Sequence, residues 1–164
     1  MSATLHASAV LIGAKAMLIR GPAGSGKSSL VLALLRAAQS GILPFGRLVA
    51  DDRVHAAAVH GRLVLRPPPA LAGLLEVRGL GLRRLPWEPA AVAGWIVDLA
   101  AGDAQRLPGP EQAFAEIEDI RLPRIAIPPG YDILPPVLAA VGSSAASAGA
   151  ARREDWQVSP RVHI

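Results

Sequence analysis

The chain has 164 residues, a formal net charge of +4 and a hydrophobic fraction of 51%. That length supports one domain with a sizeable core, and no apolar run approaches the ~20 residues that a bilayer-spanning helix needs. Cysteine is absent, which excludes disulfides and thiolate metal sites and fits a cytoplasmic protein. The N-terminal stretch Met1 to His6 has no basic segment before its apolar run, so no signal peptide is expected. The positive charge is almost all arginine, scattered except for Arg83-Arg84 and Arg152-Arg153. Nucleic-acid-binding surfaces cluster charge and interleave aromatics. With 4% aromatic residues, the basicity reads instead as solubility or attraction to an acidic partner.

Leu5 to Ile12 alternates weakly and predicts a strand; Gly13-Ala14-Lys15 is a turn, and Ala16 to Arg20 a second strand. This hairpin feeds Gly21-Pro22-Ala23-Gly24-Ser25-Gly26-Lys27-Ser28, which fits the phosphate-binding pattern G-x-x-x-x-G-K-[ST]. An apolar strand leads in and a helical run, Leu30 to Ala38, leads out, which is the setting the chemistry needs. Glycines let successive N–H groups turn toward phosphate oxygens, and the helix start adds the positive end of its dipole. Lys27 would reach the β- and γ-phosphates and the Ser28 hydroxyl would bind Mg²⁺. His6 lies at the outer end of the first strand, where the residue type alone fits a surface or core histidine more readily than a catalytic one.

Ser40-Gly41 ends the helix and Pro44 confirms the break. Arg47 to Asp52 reads as a short strand ending in two acids. A P-loop protein uses such a strand end to bring carboxylates opposite the phosphates, although solvated capping acids would look the same. Val54 to Val59 and Arg62 to Leu65 form another hairpin around His60-Gly61, and Pro67-Pro68-Pro69 is a rigid spacer. Leu74 to Leu82 holds an acid and a base followed by two glycines and reads as a loop with close backbone approach. Gly94 to Leu99 is a buried strand, Gly102 to Gly109 a polar loop containing Arg106, and Ile117 to Ile127 another strand. Asp132 to Val141 reads as a short helix interrupted by Pro135-Pro136. Ser143 to Ala151 is low in complexity and, with the residues after it, is expected to be mobile.

With these stretches in view, the chain resembles the catalytic domain of the HPr kinase/phosphorylase family. The resemblance rests on Leu5-His6, the Gly21–Ser28 loop, Leu48-Val49-Ala50-Asp51-Asp52, the signature-like Leu75-Glu76-Val77-Arg78-Gly79-Leu80-Gly81, and Gln105-Arg106-Leu107, in the family's order over roughly residues 5 to 140. It implies an α/β fold with a P-loop kinase core like that of phosphoenolpyruvate carboxykinase, a mixed sheet with hairpins flanked by helices. The catalytic domain is expected over residues 1–141 and a Ser/Ala-rich tail over 142–164.

The resemblance also implies an activity: transfer of the ATP γ-phosphoryl group to a serine of an HPr-like phosphocarrier, regulating the phosphotransferase system. Gly21 to Ser28 and Ser29 would hold nucleotide; Ser28 and Glu76 would ligate Mg²⁺, with Asp52 supporting the metal or its waters. Asp51 would be the general base with His6 beside it, and Lys27 and Arg106 would stabilise charge on the transferring group. A homo-oligomer, a hexamer, is implied; no nucleic-acid or membrane partner is. A small-molecule P-loop kinase and a non-catalytic nucleotide sensor remain compatible with the same residues. The family's usual N-terminal domain has no counterpart here, so the chain looks like a short form. Ser29 stands where the family often has Glu, and there is extra length before Asp51. The family's arginine-bearing Pro-Gly segment is matched only by Pro128-Pro129-Gly130-Tyr131-Asp132, without the arginine, which argues against phosphorolysis.

Overall fold

The structure, a computed structural model, describes residues 2–143. The proposed tail therefore lies outside the described residues, apart from Gly142 and Ser143. Strands β1 (Ser2–Ile12) and β2 (Lys15–Arg20) form the expected hairpin, with β1 beginning three residues earlier than its alternation suggests. After the glycine loop, α1 (Lys27–Gln39) packs Leu30, Val31, Leu34 and Ala37 inward. β3 (Gly46–Ala50), β4 (Arg53–Val59) and β5 (Arg62–Arg66) follow.

Later in the chain the structure corrects four readings. Leu74 to Leu82 is not a loop: β6 (Leu74–Val77) and β7 (Gly81–Arg84) form a separate two-stranded hairpin, in which a register of four pairs sets Glu76 opposite Leu82. The strand before the polar loop, β8 (Ala91–Leu99), is longer than Gly94 to Leu99. A four-residue helix, α2 (Pro110–Ala113), precedes the predicted strand Ile117 to Ile127, which is really a hairpin, β9 (Phe114–Ile117) and β10 (Ile120–Ile127). Its turn sits at Glu118 and Asp119, both at positive φ, a conformation that is uncommon for non-glycine residues. The prolines do not interrupt α3 (Leu134–Gly142); they occupy its first turn, where a missing N–H costs nothing.

The sheet is mixed. β1 pairs antiparallel with β2, β3 and β4; β4 pairs with β5, β5 with β8, and β8 runs parallel to both β2 and β10. The pairings β1–β4–β5–β8–β2–β1 therefore close on themselves. Inside the ring lie Ala7, Ala9, Ala16, Leu18, Val54, Ala56, Leu63, Leu65, Ala91, Ala93 and Ile96. A ring of so few strands is narrow, which accounts for the alanines at six of these positions. The opposite faces of the same strands, with Val10, Met17 and Ile19, pack under α1 and α3. β2 alternates between the two cores, so a strand read as one apolar run is buried on both faces.

This topology gathers the site. β2 and β3 both run antiparallel to β1, one on each side, so they end at the same edge. The glycine loop leaves one and Asp51-Asp52 the other, with β1 between them. β8, parallel to β2, also ends there.

Candidate active site

The loop after β2 needs its glycines for definite reasons. A Cβ at Gly21 would lie 2.5 Å from Ser25 Oγ and 3.1 Å from Leu99 Cβ. Gly26 caps α1 in the left-handed region, φ 101°, and no side chain caps the helix. The first amides of α1 are thus left to a ligand, in the way helix N-termini receive phosphate. Lys27 is buried, and its ammonium donates to the carbonyl oxygens of Gly21 (2.9 Å) and Pro22 (3.1 Å). An ammonium has three protons to donate, so one remains.

Opposite the loop, Asp51 is buried among donors. Its carboxylate accepts from Ser8 Oγ at 2.6 Å, from Ser28 Oγ at 2.8 and 3.0 Å, and from the Glu76 amide at 3.1 Å. No cation pairs with it among the described residues. Because Ser28 gives its proton to Asp51, the lone pairs of the hydroxyl oxygen are free for a cation. Asp52, one residue on, turns outward at φ 65°. It meets His6, Nε2 to Oδ1 at 3.3 Å, and both side chains are more than half exposed.

His6, Ala23, Gly24, Gly26, Lys27, Ser28, Ser29, Asp51, Asp52, Glu76 and Arg78 line one cleft of about 330 Å³. A second cavity of about 290 Å³, near Leu11, Val64 and Val92, carries none of these groups. The cleft brings together every candidate from the sequence except four. Gly21 and Ser25 belong to the loop beneath it and Pro22 to its exposed rim. Arg106 does not line the cleft: it is exposed on the loop between β8 and α2. Of the two acids, Asp51, the expected base, is buried, and Asp52 is exposed. Donor chemistry fits a hard divalent cation: the Ser28 hydroxyl and the Asp51 and Glu76 carboxylates all offer oxygen. Among the described residues no three acidic, imidazole or thiol side chains are grouped to hold an ion, so these residues would supply only part of a coordination shell.

Two features escaped the sequence. Ser8, fully buried, is a hydroxyl within an alternating apolar strand; its signal is only that polarity. The other is an ionic cluster on the far side of the loop. Asp98 accepts from Arg20 at 2.7 and 2.8 Å and also from Arg124, which binds both carboxylate oxygens of Asp103 at 2.8 Å. Burial pushes the Asp98 carboxyl up, but hydrogen bonds and charge from Arg20 and Arg124 outweigh it and hold the carboxyl below its ordinary value. Asp103 is held low chiefly by its hydrogen bonds from Arg124. Arg124 is 11% exposed and committed to two acids.

A strand, glycine loop and uncapped helix facing paired acids define an α/β domain of P-loop type. The family described as HPr Serine kinase C-terminal domain matches residues 1–85, and the chain belongs to that family. HPr kinase/phosphorylase of Clostridium beijerinckii is 38% identical over 78 residues, 48% of this chain and 24% of the relative. That of Clostridium tetani is 38% identical over 82 residues, 50% of this chain and 25% of the relative. The match thus takes in about a quarter of the length of these relatives. A solved structure, the Hpr(Ser) kinase/phosphatase from Coxiella burnetii, superposes with a TM-score of 0.63 at 24% identity, covering 78% of this chain and 87% of that one. The mixed sheet flanked by helices is therefore a shared fold. Among the described residues no helix is long and apolar enough to cross a membrane.

Proposed function

We propose that the chain is an ATP-dependent protein kinase that phosphorylates a serine of an HPr-like phosphocarrier. The observation that carries this reading is the division of labour between adjacent acids: Asp51 anchored behind Ser28, Asp52 open beside His6. Phosphoryl transfer needs the nucleotide held, its charge offset, and an acceptor hydroxyl deprotonated in line. The loop amides and Lys27 hold the phosphates. Ser28, Asp51 and Glu76 would hold Mg²⁺, which neutralises charge on the phosphate oxygens when bound. Asp51, its oxygens occupied by Ser8, Ser28 and the Glu76 amide, orients that donor set. We infer that the roles read from the sequence are exchanged and that Asp52 takes the proton of the acceptor hydroxyl, with His6 steering its carboxylate. Arg106 would meet charge on the transferring group.

Kinase action dominates over phosphorolysis in this reading. Using inorganic phosphate demands a second anion, held by donors or positive charge. Arg124 is committed to Asp98 and Asp103, and Asp132 does not line the cleft; its carboxylate accepts from the Leu134 amide at 3.3 Å. A homo-oligomer, a hexamer, is part of the same proposal; light scattering at micromolar concentration should find it, and monomer alone would count against it. The principal test is radiolabel transfer from ATP to purified HPr-like proteins of the same organism. Labelled phosphoserine is expected; label passing only to small metabolites, or to nothing, would refute the reading.

A further inference from the structure

The cluster around Asp98 joins two parts of the site that share no other side-chain hydrogen bond among the described residues. Arg20 immediately precedes Gly21, and the β2–β8 register sets it directly beside Asp98. Arg124 on β10 sits two residues before Ala126, the parallel partner of Asp98, and so on the same face. From there it reaches Asp103, in the loop that leaves β8 next to the glycine loop. That outgoing loop is fixed at its two ends and not at its tip: at the far end the Gly109 amide donates to Gln112 Oε1 at 3.1 Å and Arg124 donates to the Gln112 carbonyl at 3.3 Å. The Ala101 amide donates to the Ile127 carbonyl at 2.9 Å, and Asp103 takes two hydrogen bonds from Arg124 at 2.8 Å. Beyond Ala104, Gln105 to Pro108 are exposed, with Leu107 at 84%. Arg106 is at this tip, three residues past the last ionic anchor. Neither of the other two guanidiniums near the start of the glycine loop, Arg20 and Arg124, is free.

We propose that Arg124 and Asp103 are positioning residues: by tying the loop 100–109 to Asp98 and Arg20 beneath the glycine loop, they hold Arg106 within reach of bound phosphate. The proposal rests on the kinase reading for the role of Arg106. Arg124 is suited to this work because one planar fork can serve two carboxylates at fixed angles, which an ammonium cannot. The buried end, Asp98 with its two arginines, is the fixed post. Asp103, at 56% exposure, is the end that can be cut without opening the core.

The test uses Asp103→Ala, Asp103→Glu and Arg106→Ala, each with two readouts. In transfer assays Asp103→Ala should lower kcat roughly 10- to 100-fold, the scale of a misplaced catalytic group, while KM for ATP stays put. Asp103→Glu should recover part of that loss. The double variant with Arg106→Ala should be no slower than Arg106→Ala alone. In hydrogen exchange, Mg²⁺ and a non-hydrolysable ATP analogue should protect the amides of residues 104–107 in the wild type but not in Asp103→Ala. Unchanged kcat with unchanged protection in Asp103→Ala, or additive losses in the double variant, would overturn the proposal. If the wild type fails to phosphorylate any HPr-like protein yet shows Asp103-dependent protection, the kinase reading falls and the positioning role stands.

Discussion

The glycine loop is flanked by two acidic strand ends that the molecule treats in opposite ways. On the β8 side Asp98 is neutralised by two arginines and Asp103 by one of the same pair. On the β3 side Asp51 is held only by hydroxyls and an amide, Asp52 meets a histidine, and Glu76 carries no partner on its carboxylate among the described residues. An acid that has its counter-charge is finished as a structural element. Acids gathered without one are tolerable where a cation is to join them, since like charges so close otherwise repel. The contrast separates the chemical side of the loop from the supporting side.

The largest expected effect falls on the loop between them. Lys27→Ala removes the one remaining ammonium proton and the tether to Gly21 and Pro22. A charge-assisted hydrogen bond is worth about 1.5–3 kcal/mol, so ATP affinity by calorimetry should drop roughly 10- to 100-fold. Unchanged affinity in a folded variant would remove the loop from the account.

Next come the two β3 acids. Asp52→Asn should cost turnover ~10²–10⁴-fold, the range for a lost general base, with nucleotide affinity kept. Asp51→Asn should instead weaken Mg²⁺-dependent nucleotide binding. Loss of turnover from Asp51→Asn alone, with binding intact in both, would restore the order read from the sequence.

On the β8 side the loss of turnover is expected to be no larger than that of Asp103→Ala, and it comes with a loss of stability. Asp98→Asn leaves Arg20 and Arg124 facing a neutral amide and should cost ~2–3 kcal/mol in urea unfolding, less than a fully buried pair would. Asp98 is held below its ordinary value in the folded chain, so its contribution is fully present above the unfolded pKa. It is lost as pH falls through the folded value. The gap between wild type and variant should therefore be constant near neutrality and close below about pH 4. A gap that persists in strong acid would mean that charge at Asp98 is not what stabilises the cluster. The smallest signal is expected from phosphorolysis: phosphoserine-HPr with excess inorganic phosphate should release pyrophosphate far more slowly than the forward reaction proceeds.

The chemical side was legible in the sequence because its parts are local. The glycine loop, its strand and its helix are contiguous, and Asp51-Asp52 ends a short apolar strand. The supporting side was not, because its partners are 78 and 26 residues apart and only the β2–β8–β10 register brings them together. The same non-locality hid the closed ring: β4, β5 and β8 read as ordinary hairpin and buried strands, and nothing in their periodicity says that β8 returns beside β2. The β6–β7 hairpin reads as a loop in the sequence because its turn residues, Arg78 to Leu80, dominate so short a stretch. The sequence puts the two acids at one strand end but does not say which of them is buried. Which of two adjacent residues turns inward depends on the positive φ at Asp52 and on the buried Ser8, and neither leaves a mark in the local pattern.

The central claim, that the β3 side does the chemistry and the β8 side supports it, meets its most direct test in one comparison. Transfer of radiolabel from ATP to the serine of an HPr-like protein would be followed for Asp52→Asn and Asp98→Asn, both confirmed folded at the assay temperature. The account predicts that Asp52→Asn nearly abolishes labelling at saturating ATP, while Asp98→Asn, though less stable and slowed no more than Asp103→Ala, still labels the acceptor. Full labelling by Asp52→Asn would contradict it.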